Sequence, residues 1–431
     1  MKFTTLFFLC ALSVSAETVI TVIDNQIDLT HSRISGNIFS NQAEVINGID
    51  DDGNGYIDDI NGWNFIANSN EVFDYSDYGS FPAEIYEYYN LRAKKSLETI
   101  SDEELLRYKE LAKDKDFMKR KSEYTKYAHG THVGCIALGI TNKDTNKNIK
   151  LLPIRYLGDA TQGAFLKPEF KVLGDDSSDS EKIAGLKQYF EKYAVWMVGK
   201  FDIATSYATR FSKVINISWG QSYASTYEEV ESAWKKQFTS PLNEEIAAEI
   251  TASFMSSILS NGKTIVKRHE DTLFIFSAGN KKMNNDEVPH YPSSIKQPNV
   301  ISVGSFYLND KAYFTNYGKK SVSVFAQGMA INSCVPENLY LPINGTSQSA
   351  PQVASLAANI LESANEFKVA ISTIEVRRVI LETSDKHESL REISESSGVI
   401  NEKRAIRAIE LMTSLSIPEA IAQSFIDIPT I

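Results

Sequence analysis

Runs of β-branched and aliphatic residues without a charged interruption recur along this chain. The first, Thr18-Val19-Ile20-Thr21-Val22-Ile23, ends on Asp24. A continuous run of this length predicts a strand buried on both faces, as in a parallel sheet, rather than a half-exposed alternating strand. The same signature returns at residues 149–154, 214–218, 273–277, 300–303 and 322–325, with helical periodicity over 181–198, 242–259 and 351–364 between them. Strands alternating with helices predict an α/β fold of three layers: a doubly wound, mostly parallel sheet with helices on both faces. In such sheets the functional residues gather where strands run out into loops.

Two segments do not fit the alternation. Residues 81–127 read as an insertion, in which Ser101-Asp102-Glu103-Glu104 is a capping box opening a helix rich in Lys and Glu. Its mixed charge predicts a solvated face, with a lid or partner-docking role as the alternative. Residues 158–180, containing Gly174-Asp175-Asp176-Ser177-Ser178-Asp179, predict a mobile loop. Residues 372–415 read as amphipathic helices opened by a second capping box, Ser372 and Glu375. No internal repeat is visible. The expected organisation is one domain over 17–431 with insertions near 68–127, 158–180 and 221–270.

Composition narrows the classes. At 431 residues, 42% hydrophobic and 23% charged, the chain is long enough and apolar enough to bury a full core. A net charge of −11 argues against a general nucleic-acid binder, which needs a basic face. The first sixteen residues have the pattern of a signal peptide: Lys2, an apolar stretch over 7–12, and the small-residue cleavage site Val14-Ser15-Ala16. Export to the periplasm or beyond is therefore expected, the alternative being a greasy N-terminal strand. Phe8-Leu9 before Cys10 lacks the small residue that a lipid-anchor site wants. No later segment reaches about 18 uncharged apolar residues. Removal of the leader leaves Cys135 and Cys334, which could pair or stay as separate buried thiols.

Candidate chemistry sits at the ends of these elements. Hydrolysis of an unactivated acyl bond by a serine needs a base, an anion to orient the base, and donors for the developing oxyanion. Ser347 lies in Gly345-Thr346-Ser347-Gln348-Ser349-Ala350-Pro351, ahead of a helical pattern in which Pro351 fits the first turn. A helix N-terminus favours negative charge at a serine oxygen, although an ordinary N-cap serine is the alternative. His129, in His129-Gly130-Thr131-His132-Val133, opens another apolar helix. The pair His129 and His132 lacks the i, i+4 spacing and adjacent Glu of a zinc helix. Asp24 ends the first buried strand, where a carboxylate is costly unless bonded. Asn280 follows the strand in Ser277-Ala278-Gly279, and its amide can donate to an oxyanion alongside the Ser347 N–H.

Taken in order, Val22-Ile23-Asp24, His129-Gly130-Thr131-His132-Val133, Ser277-Ala278-Gly279-Asn280 and Gly345-Thr346-Ser347 with Pro351 resemble the motifs of the subtilisin-like serine protease family. Residues 214–220, 314–318 and 398–401 add supporting family-like segments. The resemblance implies Ser347 as nucleophile, His129 as general base and acid, Asp24 as its orienting partner and Asn280 as oxyanion donor. It also implies that Ser218, Trp219 and Gly220 pair with substrate main chain by strand addition and, with Ala278 and Gly279, wall the pocket for the residue before the cut. Protein or peptide substrates follow. A catalytically inactive binding or chaperone-like module on the same fold is the competing reading. An α/β-hydrolase esterase would want Gly-x-Ser-x-Gly and a different triad order.

One loop suggests a cofactor. Asp50, Asp52, Asn54, Tyr56 and Asp58 supply oxygens at the spacing of an EF-hand-type calcium loop, with Gly55 at its turn. Position 12 is Asn61 instead of the bidentate Glu, so modest affinity is expected for a structural ion, and an acidic turn without an ion is the alternative. The sequence also departs from the family. Seven residues separate Ala16 from Asp24, which leaves no room for the usual inhibitory pro-segment; a separate folding helper or inhibitor, or the 81–127 insertion, is expected to substitute. Asp24 and His129 stand 105 positions apart, and Gln348 and Gln352 replace the family's usual Met and His.

Overall fold

Strand β1, Thr18–Asp24, is buried along its whole length and pairs in parallel on both sides. In the computed structural model, which describes residues 17–139, 148–161, 163–171 and 177–430, it lies inside a ten-stranded sheet, third from one edge. Alternation along it divides the core. Ile20 and Val22 face one cluster, whereas Val19 and Ile23 face the other, the two-residue period of an extended chain. The expected leader, residues 1–16, and residues 172–176 of the 158–180 loop lie outside the described residues.

The other strands are β2 (Trp63–Asn64), β3 (Ile149–Arg155), β4 (Val214–Ile217), β5 (Gln221–Ser222), β6 (Leu273–Ser277), β7 (His290–Tyr291), β8 (Val300–Tyr307), β9 (Asp310–Lys311), β10 (Val324–Gln327), β11 (Ile331–Val335), β12 (Leu339–Ile343), β13 (Asp385–Lys386) and β14 (Gly398–Val399). The sheet order is β13-β14-β10-β8-β6-β4-β1-β3-β2, with β9 off β8. Only β13 and β9 run antiparallel to their sheet neighbours. Strand β10 starts two residues later than the apolar run predicts, because the Val322 amide closes a turn onto the Gly318 carbonyl.

The helices are α1 (Ala83–Ser96), α2 (Asp102–Lys113), α3 (Lys115–Ala137), α4 (Asp179–Ala208), α5 (Tyr223–Lys235), α6 (Glu244–Arg268), α7 (Thr346–Phe367), α8 (Thr373–Glu382), α9 (Glu402–Leu411) and α10 (Ile417–Asp427). Helices α3, α7, α8, α9 and α10 contribute to one core cluster and α4, α5 and α6 to the other. The mostly parallel sheet between two helical layers is the expected fold class. Both capping boxes form, at Ser101/Glu104 and Ser372/Glu375.

The insertion differs from its charge pattern. Its outer face carries ion pairs such as Arg107 with Glu87, but its inner face buries Ile85, Tyr89, Tyr124 and Tyr127 against Phe73, Val335 and Leu341. This satellite core seats α1 and α3 on the antiparallel β11–β12 hairpin. The insertion also runs directly into α3. Asp114 caps that helix by accepting from the Asp116 and Phe117 amides, so His129 sits well inside the helix instead of opening it.

Cys135 on α3 and Cys334 on β11 form a disulfide across 199 residues, with both sulfurs buried and the Cα atoms 5.9 Å apart. A crosslink spanning so long a loop restricts the unfolded chain strongly. Replacing both cysteines by alanine should lower unfolding free energy in urea by about 2–5 kcal/mol, and wild-type protein unfolded with reductant should match the variant.

Candidate active site

Four elements bring the sequence-predicted residues to one rim of the sheet. Asp24 closes β1, Ser218 follows β4, Asn280 follows β6, and Ser347 starts α7. The Asp24 carboxylate is fully buried. Its Oδ1 accepts from the Asn25 amide at 2.7 Å and from Nδ1 of His129 at 2.6 Å. Oδ2 has no hydrogen bond among the described residues.

This approach depends on a glycine. A Cβ on Gly130 would lie 2.5 Å from the Gln26 carbonyl oxygen and 2.8 Å from that of Asn25. Only a residue without a side chain lets α3 pass so near the backbone that follows Asp24, and Thr131 Oγ1 then accepts from the Asp28 amide at 2.9 Å. The His129 side chain keeps 18% exposure, so its far edge reaches the surface. Burial disfavours the imidazolium, but the charge and hydrogen bond of Asp24 outweigh it and hold the pKa above 6.5. With the Nδ1 proton committed to Asp24, the neutral ring presents Nε2 as a proton acceptor.

His132, one turn on, is a structural histidine. Its Nε2 donates to the Leu341 carbonyl at 3.0 Å, and the Gln348 amide donates to Nδ1 at 3.4 Å. Burial pushes its pKa down to about 3, which keeps it neutral. The Ser333 hydroxyl donates to the His132 carbonyl, so this residue joins α3, the β11–β12 hairpin and α7. Gln348, which departs from the family pattern, thus fills a structural place.

Ser347 is the second residue of α7, and Pro351 lies one turn into that helix instead of at its start. A proline there has no N–H to offer the carbonyl four residues back, which is that of Ser347. The Ser218 hydroxyl supplies the missing donor, at 3.1 Å. The Ser347 hydroxyl in turn donates to the Ser218 carbonyl at 2.8 Å, and no hydrogen bond joins it to His129 among the described residues. Asn280 is oriented by its acceptor: Oδ1 takes the Thr346 amide at 2.9 Å and its hydroxyl at 3.1 Å. Nδ2 has no partner among the described residues and can act as a donor. A Cβ on Gly345 would sit 3.6 Å from this nitrogen and 2.8 Å from Gln348 Oε1, intruding on the space in front of the amide.

The predicted pocket walls, residues 218–220 and 278–279, follow the paired strands β4 and β6. Trp219 is fixed by a 2.8 Å bond from its indole N–H to the Ile23 carbonyl and by stacking on Tyr156. The Ala278-Gly279 wall is braced by residues to which sequence reasoning assigned no function. Asn285 donates to the Ala278 carbonyl at 2.9 Å, and the Asn316 amide donates to that of Gly279 at 2.8 Å. Asn316 also donates its side-chain amide to Asn285 Oδ1. The segment around Asn316 was the available signal. His290, behind the walls, gave none.

The acidic loop brings Glu44, Asp50 and Asp52 together, with one oxygen from each within 4.8 Å of the others. Glu44 was missed because it precedes the loop pattern; its two oxygens accept from the Asp52 and Asp58 amides. The Asp58 carboxylate is turned toward the Asn47 and Gly48 amides. Asn54 donates to Asp52 and Asp59, and its Oδ1 accepts from the Tyr56 amide. Three converging carboxylates are a hard-oxygen donor set that suits a calcium-like cation.

The family model described as the Subtilase family matches residues 15–399. The chain is 26% identical to subtilisin-like protease 2 of Plasmodium falciparum over 283 residues, which is 64% of this chain and 17% of that protein. It is also 26% identical to subtilisin-like protease 1 of the same organism over 353 residues, 80% of this chain and 37% of that one. The match therefore spans well under half of these relatives' length. A solved lanthipeptide protease resembles it at a TM-score of 0.47 with 17% identity, covering 90% of this chain and 86% of the other. Matched by that family model over most of its length, the chain belongs to the subtilase family.

Proposed function

We propose that this chain is an exported serine endopeptidase that cleaves peptide bonds through an acyl-enzyme. The observation that carries this reading is the 2.6 Å contact between the buried Asp24 and His129, at the rim that also holds Ser347 and Asn280. In the proposed cycle the Ser347 hydroxyl leaves the Ser218 carbonyl for Nε2 of His129, which takes its proton as Oγ attacks the scissile carbonyl. Asp24 holds the ring in the required tautomer and stabilises the imidazolium. The free amide of Asn280 and the first-turn amide of Ser347 receive the oxyanion, and losing the former donor in a relative costs about 10²–10³ in turnover. His129 returns the proton to the leaving amine, and water then repeats the sequence on the ester. Substrate main chain adds along Ser218, Trp219 and Gly220, with Ala278 and Gly279 opposite.

Export is supported by the disulfide, because such bonds persist in oxidising compartments. A bound calcium would be a structural ion held by Glu44, Asp50 and Asp52, offsetting their mutual repulsion. One observation favours the competing reading, an inactive binding module: the Ser347 hydroxyl is bonded to Ser218 and not to His129. Hydrogen bonds of this kind commonly form only with substrate present, so reactivity decides between the two.

A fluorophosphonate probe should label the wild type and leave Ser347→Ala unlabelled; folded wild type that resists the probe would put the binding module ahead. The pKa of His129, raised above 6.5, sets the acid limb. Because the base must be neutral, kcat/KM should rise with pH through a midpoint above 6.5, and Asp24→Asn should lower kcat by about 10⁴-fold. The linked stability has the opposite sense: the Asp24–imidazolium pair stabilises the fold below pH 6.5, and its contribution fades as pH rises through the folded-state pKa. Finally, EDTA should lower Tm by several degrees and calcium should restore it, whereas an Asp50→Asn/Asp52→Asn protein should show the lower Tm regardless of calcium.

A further inference from the structure

A second buried histidine stands at the pocket and takes no part in the chemistry proposed above. The short antiparallel bridge of β5 with β7 pairs Ser222 with His290, which pins His290 beside Gly220. A Cβ on Gly220 would fall 2.2 Å from His290 Cε1 and 2.8 Å from its Nε2; a Cβ on Gly279 would fall 3.1 Å from the same nitrogen. The imidazole therefore lies against both backbone walls at once. Both walls are glycine where the ring meets them, and neither position has room for a side chain.

The ring is also held in place. Its Nδ1 shares a 2.8 Å hydrogen bond with Ser293 Oγ, and its amide donates to Ser294 Oγ at 2.9 Å. Ser293 is itself buried and lies 3.4 Å from the Ala278 carbonyl. Tyr291, fully buried, backs the same strand. His290 is only 6% exposed, and Nε2 has no hydrogen-bond partner among the described residues.

From this placement we infer that His290 closes the pocket for the residue just before the cleaved bond and restricts it to small side chains such as alanine, glycine or serine. The inference rests on the protease reading and deepens it by naming the residue that selects the substrate. Selection is by size, because burial holds the His290 pKa down at about 4 and the ring is uncharged at neutral pH. Without this ring the space between the two glycine positions would be unfilled. With it, a leucine or phenylalanine must displace an imidazole that Ser293 holds by its Nδ1.

The test uses fluorogenic peptides that differ only in the residue before the bond: alanine, leucine or phenylalanine. Wild-type protein should cleave the alanine peptide with kcat/KM roughly 100-fold above the phenylalanine peptide, the scale on which an apolar pocket discriminates by size. His290→Ala should shift that ratio toward phenylalanine by at least about 10-fold, and His290→Ser, which keeps a small polar group near Ser293, should shift it in the same direction. Equal cleavage after alanine and phenylalanine by the wild type would overturn the inference. So would an unchanged ratio in a folded variant. A wild type that takes the fluorophosphonate probe but shows a flat profile removes only the pocket assignment; one that neither labels nor cleaves removes the protease reading with it.

Discussion

A carboxylate with no exposure to water is the constraint around which this rim is organised. Asp24 is held at the end of a strand paired on both sides, so it cannot retreat to solvent. Leaving such a charge uncompensated costs about 3–5 kcal/mol. Two donors answer it, the Asn25 amide and His129, and the second requires a helix to pass within van der Waals contact of the backbone after Asp24. Gly130 makes that pass possible. The position of α3, and everything packed on α3, follows from it.

What is packed on α3 is the remainder of the proposed machinery. His132 bonds to β12 and to Gln348, Ser333 bonds back to α3, and Cys135 is joined to Cys334. The helix that carries the base, the hairpin that leads to Ser347, and the helix that Ser347 opens are therefore one connected unit. Precision at the rim needs this, because a misplacement of about 1 Å can cost about 10²-fold in a positioned reaction. The aromatic cluster beneath the 81–127 insertion braces the same hairpin from outside, burying Tyr124 and Tyr127 against Val335 and Leu341.

The strands were legible because burial on both faces leaves a simple mark, an uninterrupted apolar run; Thr18–Asp24 and Leu273–Ser277 form with the predicted boundaries. Boundaries failed where turns took over the backbone bonds, as at Val322, or where an inserted helix continued into a predicted one, as at His129. The triad candidates were legible from their local motifs: Asp24 ends a buried strand and Ser347 lies in the first turn of a helix, whereas His129, which lies inside α3, stood out through the run His129-Gly130-Thr131-His132-Val133. Their supports were not. Asn285 has no local pattern, since its function is to satisfy the Ala278 carbonyl seven residues back in sequence. Glu44 precedes its loop and is brought in by the fold. The insertion misled because its charges are real but cover one side only; the spacing of Ile85, Tyr89, Tyr124 and Tyr127 carried the other side.

The proposed catalytic and selective parts of the rim are built on separate supports. Asp24, His129 and Ser347 depend on β1, α3, α7 and the disulfide-linked hairpin. The pocket depends on Gly220, on Gly279, and on a two-residue bridge that sets His290 between them. Among the described residues no hydrogen bond joins His290 to Asp24, His129 or Ser347; its ring and amide bond to Ser293 and Ser294. Changes at His290 can therefore alter which side chain fits without moving the carboxylate or the imidazole it holds. Changes at Gly130 cannot be so confined, because any Cβ there meets the Asn25 and Gln26 carbonyls next to the contact that organises the rim. A fold arranged this way can vary its substrate through one strand and keep its chemistry fixed through another.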